Sequence, residues 1–449
     1  MKNILIAALL CTLTLVSACT TTPAVQPQVN AFLMGERYNQ ALNTLEAKKE
    51  TYGPKNQLLY LMDKGFILHL MGRYKDSILI FEQAKYLIDE MYTKSVSNMA
   101  STWMVNDYLS PYRGENFEHI LIHVFQALNY AALGDINESL VEARDADLKF
   151  NAIRNLYSDV KEDTYIDDGF VRLLMGILYE ANNNQQDLND ALISYKKSLE
   201  LYESKYYHDH NIEIPRVLKE NLLSAAQYLG FPELEEYKRK FPNSSFSGIR
   251  EKLQKAEIYV IQYNGLSPVK HPNTIPVPTP DGYATGFSFP KYDARYYETK
   301  RSDVLAENTT GDTIESPTDL GEDIEILSNQ AIDNRKAAIY LKAVIRPGIK
   351  YAAEKAIAYS LEDKYGRNAQ YPVKGVGSLF NLFSETADLR SWQTLPAQIR
   401  LTRLLLEPGK YKLSIENFDA DNIAIEKRKI GEYTFQAGEK KFIIVRTVR

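Results

Sequence analysis

The sequence has only two cysteines among its 449 residues, and both, Cys11 and Cys19, lie in its first nineteen positions. A disulfide framework or a cysteine-based metal site in the body of the protein is therefore excluded. An excess of one charge is also lacking, because 53 basic residues face 58 acidic ones. The net charge of −5 gives no field that would attract a polyanion, so we expect no nucleic-acid partner. The 45% of hydrophobic residues can form real cores, and the chain length predicts two or three domains.

The N-terminus predicts where the protein is located. Lys2 precedes an apolar run, residues 4–16, that suits a signal peptide and falls short of the roughly 20 residues a spanning helix needs. The sequence VSAC that ends at Cys19 resembles a bacterial lipobox. We therefore expect residues 1–18 to be a lipoprotein signal peptide and Cys19 to carry acyl chains that anchor the protein. The alternatives are an ordinary signal peptide with a chance cysteine at its cleavage site and an uncleaved anchor helix.

The residues that follow Cys19 predict which membrane holds the protein and how far the folded body lies from it. Residue 20 is Thr rather than Asp, which by resemblance to Gram-negative lipoproteins favours sorting to the outer membrane. Residues 20–30 carry no charge and contain Pro23 and Pro27. Residues 19–30 therefore predict a tether with a reach on the order of 20 Å. We expect a lipid-anchored outer-membrane protein whose body faces the periplasm.

Small and large residues recur at fixed offsets in the first half of the chain. Small residues at positions 65, 77 and 84 alternate with large ones at 68, 74 and 81, as in the helix pair of a tetratricopeptide repeat (TPR). The same offsets recur from Ala127, and a looser copy begins at Gly176 with three extra residues in its turn. Gly72 and Gly134 are expected to end helices. We predict a TPR-like helical solenoid over residues 31–242, with a generic helical bundle as the alternative. In either case, most of the 31 tyrosines would be structural.

The insertion between the first two copies supplies candidate contacts for a partner, namely Trp103, Tyr112, Arg113 and Glu115. Two histidines follow on one helical face, His119 and His123, with Glu115 one turn earlier. Their order lacks the Glu of an H-E-x-x-H zinc motif. We therefore expect buried polar packing of the histidines between helices, with no metal and no other cofactor.

After residue 251 the pattern becomes mixed. Residues 258–263 predict a strand, and the proline-rich run that ends at residue 290 predicts extended or loop structure. Residues 303–323 are acidic and turn-rich, which predicts an exposed loop, and two helices are predicted next, at 324–345 and 349–363. Short strands are predicted at 399–405, 411–415, 431–435 and 442–448. Residues 251–449 thus predict a mixed domain that ends in the closing β-hairpins of a small β-sandwich, and the whole chain is predicted to be α+β.

Three segments together resemble a family of bacterial TPR-like outer-membrane lipoproteins. They read YRGENFEHILIHVFQALNYAALGD from residue 112, IYVIQYNGLSPVK from residue 258 and ADLRSWQTLPAQIRLTRLLLEPGKY from residue 387. The resemblance implies the fold and the location, and it carries over no catalytic residues.

These patterns favour an interaction scaffold, with no enzyme activity, whose concave groove binds a protein or peptide partner of the envelope. Asp388, Arg390 and Trp392 in the third segment are further candidate contacts. Alternatively, Trp392 packs in a core and Arg390 pairs with Asp388 or Glu385. A second hypothesis is a module that binds peptidoglycan or an exported polysaccharide through its tyrosines.

The lipid anchor can be tested at the two cysteines. Cys19→Ala should leave the fold intact and move the protein from the membrane fraction to the soluble fraction, because the acyl chains would have no attachment site. Fractionation of cells followed by immunoblotting measures this. Cys11→Ala is the matched control and should stay in the membrane. A Cys19→Ala protein that remains in the membrane fraction would refute the lipoprotein assignment.

Overall fold

The computed structural model describes residues 23–96, 110–156, 167–182, 184–278, 284–334 and 387–448, together with residues 355, 356, 359, 360 and 363. The predicted signal peptide, Cys19 and Trp103 lie outside these residues. So do most residues of the predicted helices 324–345 and 349–363, although residues 324–334 are helical as expected.

Helices dominate the first half and strands the second, as the α+β prediction requires. The helices are α1 (Gln26–Met34), α2 (Tyr38–Ala47), α3 (Gln57–Leu70), α4 (Tyr74–Val96), α5 (Asn116–Ala132), α6 (Ile136–Leu156), α7 (Gly169–Ala181), α8 (Gln185–Tyr202), α9 (Lys205–Asp209), α10 (Arg216–Leu229), α11 (Leu234–Lys240) and α12 (Ile249–Lys252). Among the helices of the described residues, none combines the length and the hydropathy needed to cross a lipid bilayer.

The first helix begins inside the predicted tether. Helix α1 starts at Gln26, and Val25, Val29 and Leu33 are buried on one of its faces. Pro27 lies in the first turn, where its missing N–H removes no hydrogen bond. The tether prediction is therefore wrong for residues 26–30: the proline that suggested an extended chain starts a helix, and apolar residues four apart pack it on the core.

Consecutive helices pack as antiparallel pairs through the small residues of the repeat. Ser77 Oγ donates a hydrogen bond to the carbonyl oxygen of Gly65 at 2.8 Å, and Ser139 Oγ donates to that of Ala127 at 2.7 Å. A Cβ atom on Gly65 would lie 2.6 Å from the Phe81 ring, so only glycine allows this approach. In each of these two successive helix pairs, a serine of the second helix therefore binds the carbonyl oxygen of the residue twelve positions before it, as the repeated offsets predict.

Glycines end the first helix of these two pairs. Gly72 and Gly134 follow helices α3 and α5 and have φ angles of 69° and 83°. Side chains other than that of glycine rarely adopt this left-handed conformation, which lets the chain turn into the next helix.

The strands form two four-stranded sheets and one ribbon. They are β1 (Ala256–Asn264), β2 (Val269–Pro278), β3 (Ala284–Asp293), β4 (Arg301–Asn308), β5 (Thr313–Pro317), β6 (Asp319–Asp323), β7 (Gln398–Leu406), β8 (Gly409–Phe418), β9 (Ala424–Phe435) and β10 (Lys440–Thr447). The central sheet has the order β10-β1-β7-β6 and the outer sheet the order β5-β4-β8-β9. Strands β2 and β3 form the antiparallel ribbon, so the proline-rich run is extended.

Residues 303–323 are strands, and the prediction of an exposed loop is wrong. They form most of β4 and all of β5 and β6, and Val304 and Ala306 are fully buried. Their turn signal belongs to a tight hairpin in which Gly311 has a φ angle of 90°. The buried Asp303 is paired with Arg301, so an acidic residue does not indicate exposure here.

The central sheet lies between the helices and the outer sheet. One of its faces contributes Ile258, Val260 and Leu404 to an apolar cluster shared with Val304 and Leu413 of the outer sheet. Its other face packs in the core of the helical layer through residues such as Tyr259, Tyr263, Ile399 and Leu401. All nine residues of β1 are consequently buried, as expected for a strand covered on both sides.

Six buried charges join the helices to the central sheet at one end. We call Glu180, Glu220, Lys252, Glu257, Arg403 and Lys440 the interlayer charge cluster. Lys252 Nζ lies 2.9 Å from Glu180 and 3.4 Å from Glu257, and Lys440 contacts the same two carboxylates. Arg403 pairs with Glu220 at 2.7 Å and with Glu257 at 3.4 Å. Three cations thus balance three anions, and the Lys252 and Lys440 ammonium groups hold the pKa of Glu180 well below its usual range in spite of its burial.

The interlayer charge cluster predicts a large effect of one charge removal. Glu180→Gln would remove one of the two carboxylates that the ammonium groups of Lys252 and Lys440 share. The free energy of unfolding should therefore fall by about 3–5 kcal/mol. Chemical denaturation measures this. Glu235→Gln is the matched control, because its partner Lys238 lies in an exposed pair, and it should change stability by no more than about 0.5 kcal/mol. Equal effects of the two substitutions would contradict the assigned role.

Candidate functional site

An irregular segment that directly precedes strand β7 in the sequence lies against the inner face of the helical layer. We call residues 387–397 the docked segment, and its residues 390–397 are all buried. Helical side chains bind it in the way a groove binds a peptide. Thr394 Oγ1 donates to Asp63 of α3 at 2.9 Å, and the Trp392 backbone N–H donates to Glu118 of α5 at 2.8 Å. Asn30 of α1 donates to Gln393 at 3.1 Å.

The Trp392 side chain is the apolar anchor of the docked segment. It is 1% exposed and meets the rings of Phe66, Phe81 and Phe125 edge-on, with centroid distances of 6.1, 6.1 and 5.7 Å. These rings come from α3, α4 and α5, so one indole joins three helices. The core-packing alternative is therefore confirmed for Trp392, and this side chain is not accessible to a partner.

Arg390 is held equally firmly. Its guanidinium group forms a two-point ion pair with Asp388, with distances of 2.8 and 2.6 Å. It also donates to Asn56 at 3.2 Å and to the carbonyl oxygen of Ser110 at 3.1 Å, and it lies 5.3 Å from the centre of the Tyr112 ring. The ion-pair alternative with Asp388 is confirmed, while Glu385 lies outside the described residues.

Glu118, which the sequence did not single out, organises this region. Its carboxylate accepts hydrogen bonds from the Tyr112 hydroxyl at 2.7 Å and from the backbone N–H of Glu115 at 2.8 Å, in addition to that of Trp392. The Glu115 contact caps the first turn of α5. Burial raises the pKa of the Glu118 carboxyl to about 7, and the nearby Glu115 carboxylate adds to the shift.

Two more buried polar residues of α3 bind the second half of the chain. Asp63 accepts from Tyr52, Gln26 and Thr394, and burial raises its pKa to about 6. His69 lies between Asn129 and Tyr263, at 2.6 and 2.9 Å, and burial lowers its pKa to about 4. The sequence signal that could have identified Asp63 and His69 is that each is a polar residue in a largely apolar helix.

The predicted partner contacts therefore separate into groups. Tyr112, Glu115, Arg390 and Trp392 are buried together, and Glu115 forms an ion pair with Lys270 at 2.9 Å. Asp388 is partly buried beside Arg390, and Arg113 is exposed. Four of these side chains thus bind the protein's own chain, and their predicted role as a partner surface does not fit their burial. The inner face that was expected to form a groove is filled by the docked segment and the central sheet.

The prediction of buried polar packing between helices fits the half-buried His123 in part, whereas the half-buried His119 contacts the segment that precedes its own helix. His119 Nε2 donates to the carbonyl oxygen of Arg113 at 2.7 Å, and His123 Nδ1 contacts the Glu142 carboxylate of α6 at 2.8 Å. Glu115 points instead to Lys270, so the Glu115, His119 and His123 side chains do not converge. A different set of metal-ligating atoms, from His123, Glu142 and Asp145, lies within 4.8 Å.

Asp168 and Glu322 form a buried carboxyl pair between α7 and β6. Burial, followed by the charge of Asp168 and a hydrogen bond to it, raises the pKa of Glu322 well above its usual range. Asp168 also accepts from the backbone N–H of Val171 and caps α7. The two residues are 2% exposed or less, so the pair offers no access to a substrate.

Comparison with models of protein families finds no family that matches this chain, and comparison with curated proteins finds no significant match. The resemblance to TPR-like lipoproteins therefore stays a prediction from the sequence.

The raised pKa of Glu118 predicts a specific pH dependence. Because the pKa is about 7 in the folded chain and about 4.5 when unfolded, the protonated carboxyl stabilises the fold fully below pH 4.5. This contribution, about 2–3 kcal/mol, is lost as the pH rises through 7. Glu118→Gln cannot titrate and should gain stability relative to the natural protein by this amount between pH 4.5 and 7. Urea denaturation across this pH range measures it.

The exposed Glu236 provides the control, since Glu236→Gln should follow the natural protein at every pH. If the stability of Glu118→Gln runs parallel to that of the natural protein, the carboxyl is ionised in the fold and the pKa assignment is wrong.

Proposed function

We propose that the protein is a lipid-anchored interaction scaffold of the cell envelope whose helical layer presents its outer side to a protein partner. The proposal includes a TPR-like array and a β-sandwich as its two parts. The recurring contacts of Ser77 and Ser139 support the first, and the apolar cluster shared by the two sheets supports the second. The VSAC sequence at Cys19 supports the anchor at the outer membrane.

The inner face is already occupied, so the partner surface has to lie elsewhere. Tyr263 of β1 lies 5.6 Å from Phe66 and 5.7 Å from Phe125 between ring centres, and Asn221 of α10 donates to the Tyr259 hydroxyl at 3.2 Å. A peptide that entered this face would have to displace the central sheet. The proposed scaffold therefore differs from one that holds a ligand in an open groove.

A row of exposed apolar residues is the observation that carries the proposal. We define the outer row as Leu79, Val141 and Ile193, in helices α4, α6 and α8, with exposures of 63%, 43% and 52%. Each follows by two positions a fully buried small residue, namely Ser77, Ser139 and Ala191. Equivalent positions of a repeat are arranged in order along the array, and exposed apolar positions that recur in this way indicate an interface.

Two larger residues extend the outer row. Tyr86 and Leu148 lie seven positions after Leu79 and Val141 and are 73% and 65% exposed. A spacing of seven places them on the same side of their helices, two turns further on. Leu79 and Tyr86 thus lie on one side of α4, and Val141 and Leu148 on one side of α6. We infer that these side chains form one surface with Ile193, of the composition expected at the centre of a protein interface.

The alternative, binding of a cell-wall polymer, has less support. Such binding requires exposed aromatic rings on which sugars can stack. Most of the tyrosines that the structure describes are buried or half-buried. Those that are exposed are Tyr86, Tyr228, Tyr296 and Tyr359. The tyrosine content is thus mainly a property of the core.

The outer row can be tested by photo-crosslinking in intact cells. A crosslinking amino acid at position 86 of the lipidated protein should trap one discrete envelope protein. The triple variant Leu79→Asp, Val141→Asp and Ile193→Asp should lower the yield by at least about tenfold, because three carboxylates would be desolvated at the interface.

The matched control introduces three carboxylates at exposed polar positions in or directly after strands of the outer sheet, away from the helices, namely Thr313→Asp, Thr434→Asp and Gln436→Asp. It should retain the crosslink. An unchanged yield in the outer-row variant, or no discrete product, would overturn the proposal. Co-sedimentation of the purified protein with sacculi, unaffected by the outer-row variant, would favour polymer binding instead.

A further inference from the structure

Three potential metal ligands converge where helices α5 and α6 face each other. His123 projects from α5, and Glu142 and Asp145 project from one side of α6, three residues apart. One ligand atom from each lies within 4.8 Å of the other two, and His123 Nδ1 is 2.8 Å from Glu142 Oε2. The two helices are fixed as a pair by the Ser139–Ala127 contact, so the three groups are held together by the fold.

The region carries more negative than positive charge. Glu82, Glu138 and Glu142 act on the neighbouring Tyr130 hydroxyl together with one cation, Lys85. The pKa of Tyr130 is raised, first by burial and then by these carboxylates. A bound divalent cation would reduce this excess of negative charge.

Lys85 holds the Glu142 carboxylate in the structure and has a second anion to which it can turn. Its Nζ lies 2.7 Å from Glu142 Oε1 and also 2.7 Å from Glu82 Oε1. Gln126 donates to the same Glu82 oxygen at 2.6 Å, and its own Oε1 is buried without a hydrogen-bond partner. Glu82 would thus still pair with Lys85 if Lys85 released Glu142.

We propose that His123, Glu142 and Asp145 bind one first-row divalent transition-metal ion, for which Zn²⁺ is the probe, and that Lys85 competes with the ion for Glu142. One imidazole and two carboxylates form a ligand set that suits zinc, whereas Ca²⁺ and Mg²⁺ prefer oxygen ligands alone. Zinc ligands lie about 2.0–2.2 Å from the ion, so the widest separation has to shrink by roughly 1 Å. Asp145, which would have to move for this, is half-buried rather than buried.

The test is calorimetric titration of ZnCl₂ into the purified lipidated protein in detergent, after removal of metal with EDTA. One ion should bind per chain. His123→Ala and Asp145→Asn should each weaken binding by at least about tenfold, since each removes one ligand. The double variant His208→Ala and His210→Ala removes exposed histidines of α9 and its C-terminal cap and should bind zinc unchanged.

The Lys85→Met variant distinguishes a metal site from a cluster of ordinary ion pairs. It removes the competing cation and should tighten zinc binding several-fold, whereas CaCl₂ and MgCl₂ should give no binding heat. Circular dichroism verifies that each variant is folded. The proposal is overturned if zinc gives no saturable heat, if His123→Ala binds as tightly as the natural protein, or if Lys85→Met fails to tighten binding.

Discussion

Trp392 lies among three aromatic rings from three consecutive helices, and the positions of the later elements depend on this insertion. The indole fixes the docked segment against the helical layer, and strand β7 begins directly after that segment at Gln398. Strand β7 pairs with β1 on one side and β6 on the other, so the central sheet is placed by the same anchor. The protein therefore uses the inner face of its helical layer to fasten its second half.

Polar groups determine how the two halves align. Apolar surfaces tolerate sliding, whereas buried charges and hydrogen bonds are satisfied in one arrangement only. At one end the interlayer charge cluster pairs three cations with three anions. At the other end Asp63 and Glu118 accept hydrogen bonds from the docked segment. Such groups add little net stability compared with apolar residues of the same volume, and their main contribution is to penalise every other register.

Local patterns predicted much of the fold. The offsets around Gly65 and Ala127 and the turn glycines describe contacts within about 20 residues, and the structure has them. The closing strands were also located correctly, but the predicted hairpins between them are wrong, because β7 and β10 pair with the distant β1 while β8 and β9 lie in the outer sheet. The acidic stretch 303–323 was misread because the burial of Asp303 depends on Arg301 and on β8 more than 100 residues away. The site was only partly predictable for the same reason. The sequence did single out four of the site residues, namely Tyr112, Glu115, Arg390 and Trp392. It did not reveal that they contact distant parts of the same chain rather than a partner, because such contacts are not encoded in local patterns. Glu118 was missed because its partner Trp392 lies 274 residues further on, although its other partners, Tyr112 and Glu115, are close in the sequence.

The pairing of β1 with β10 has a consequence for how the chain reaches its folded state. The two strands are parallel, and Glu257 pairs with Lys440, 183 residues later. During synthesis from the N-terminus the helices would emerge first, and their apolar inner face would stay uncovered until the docked segment and the central sheet follow. Contacts of such long range form slowly. A truncation that removes only the final strand would leave β1 with an open edge, which is a template for pairing with another chain.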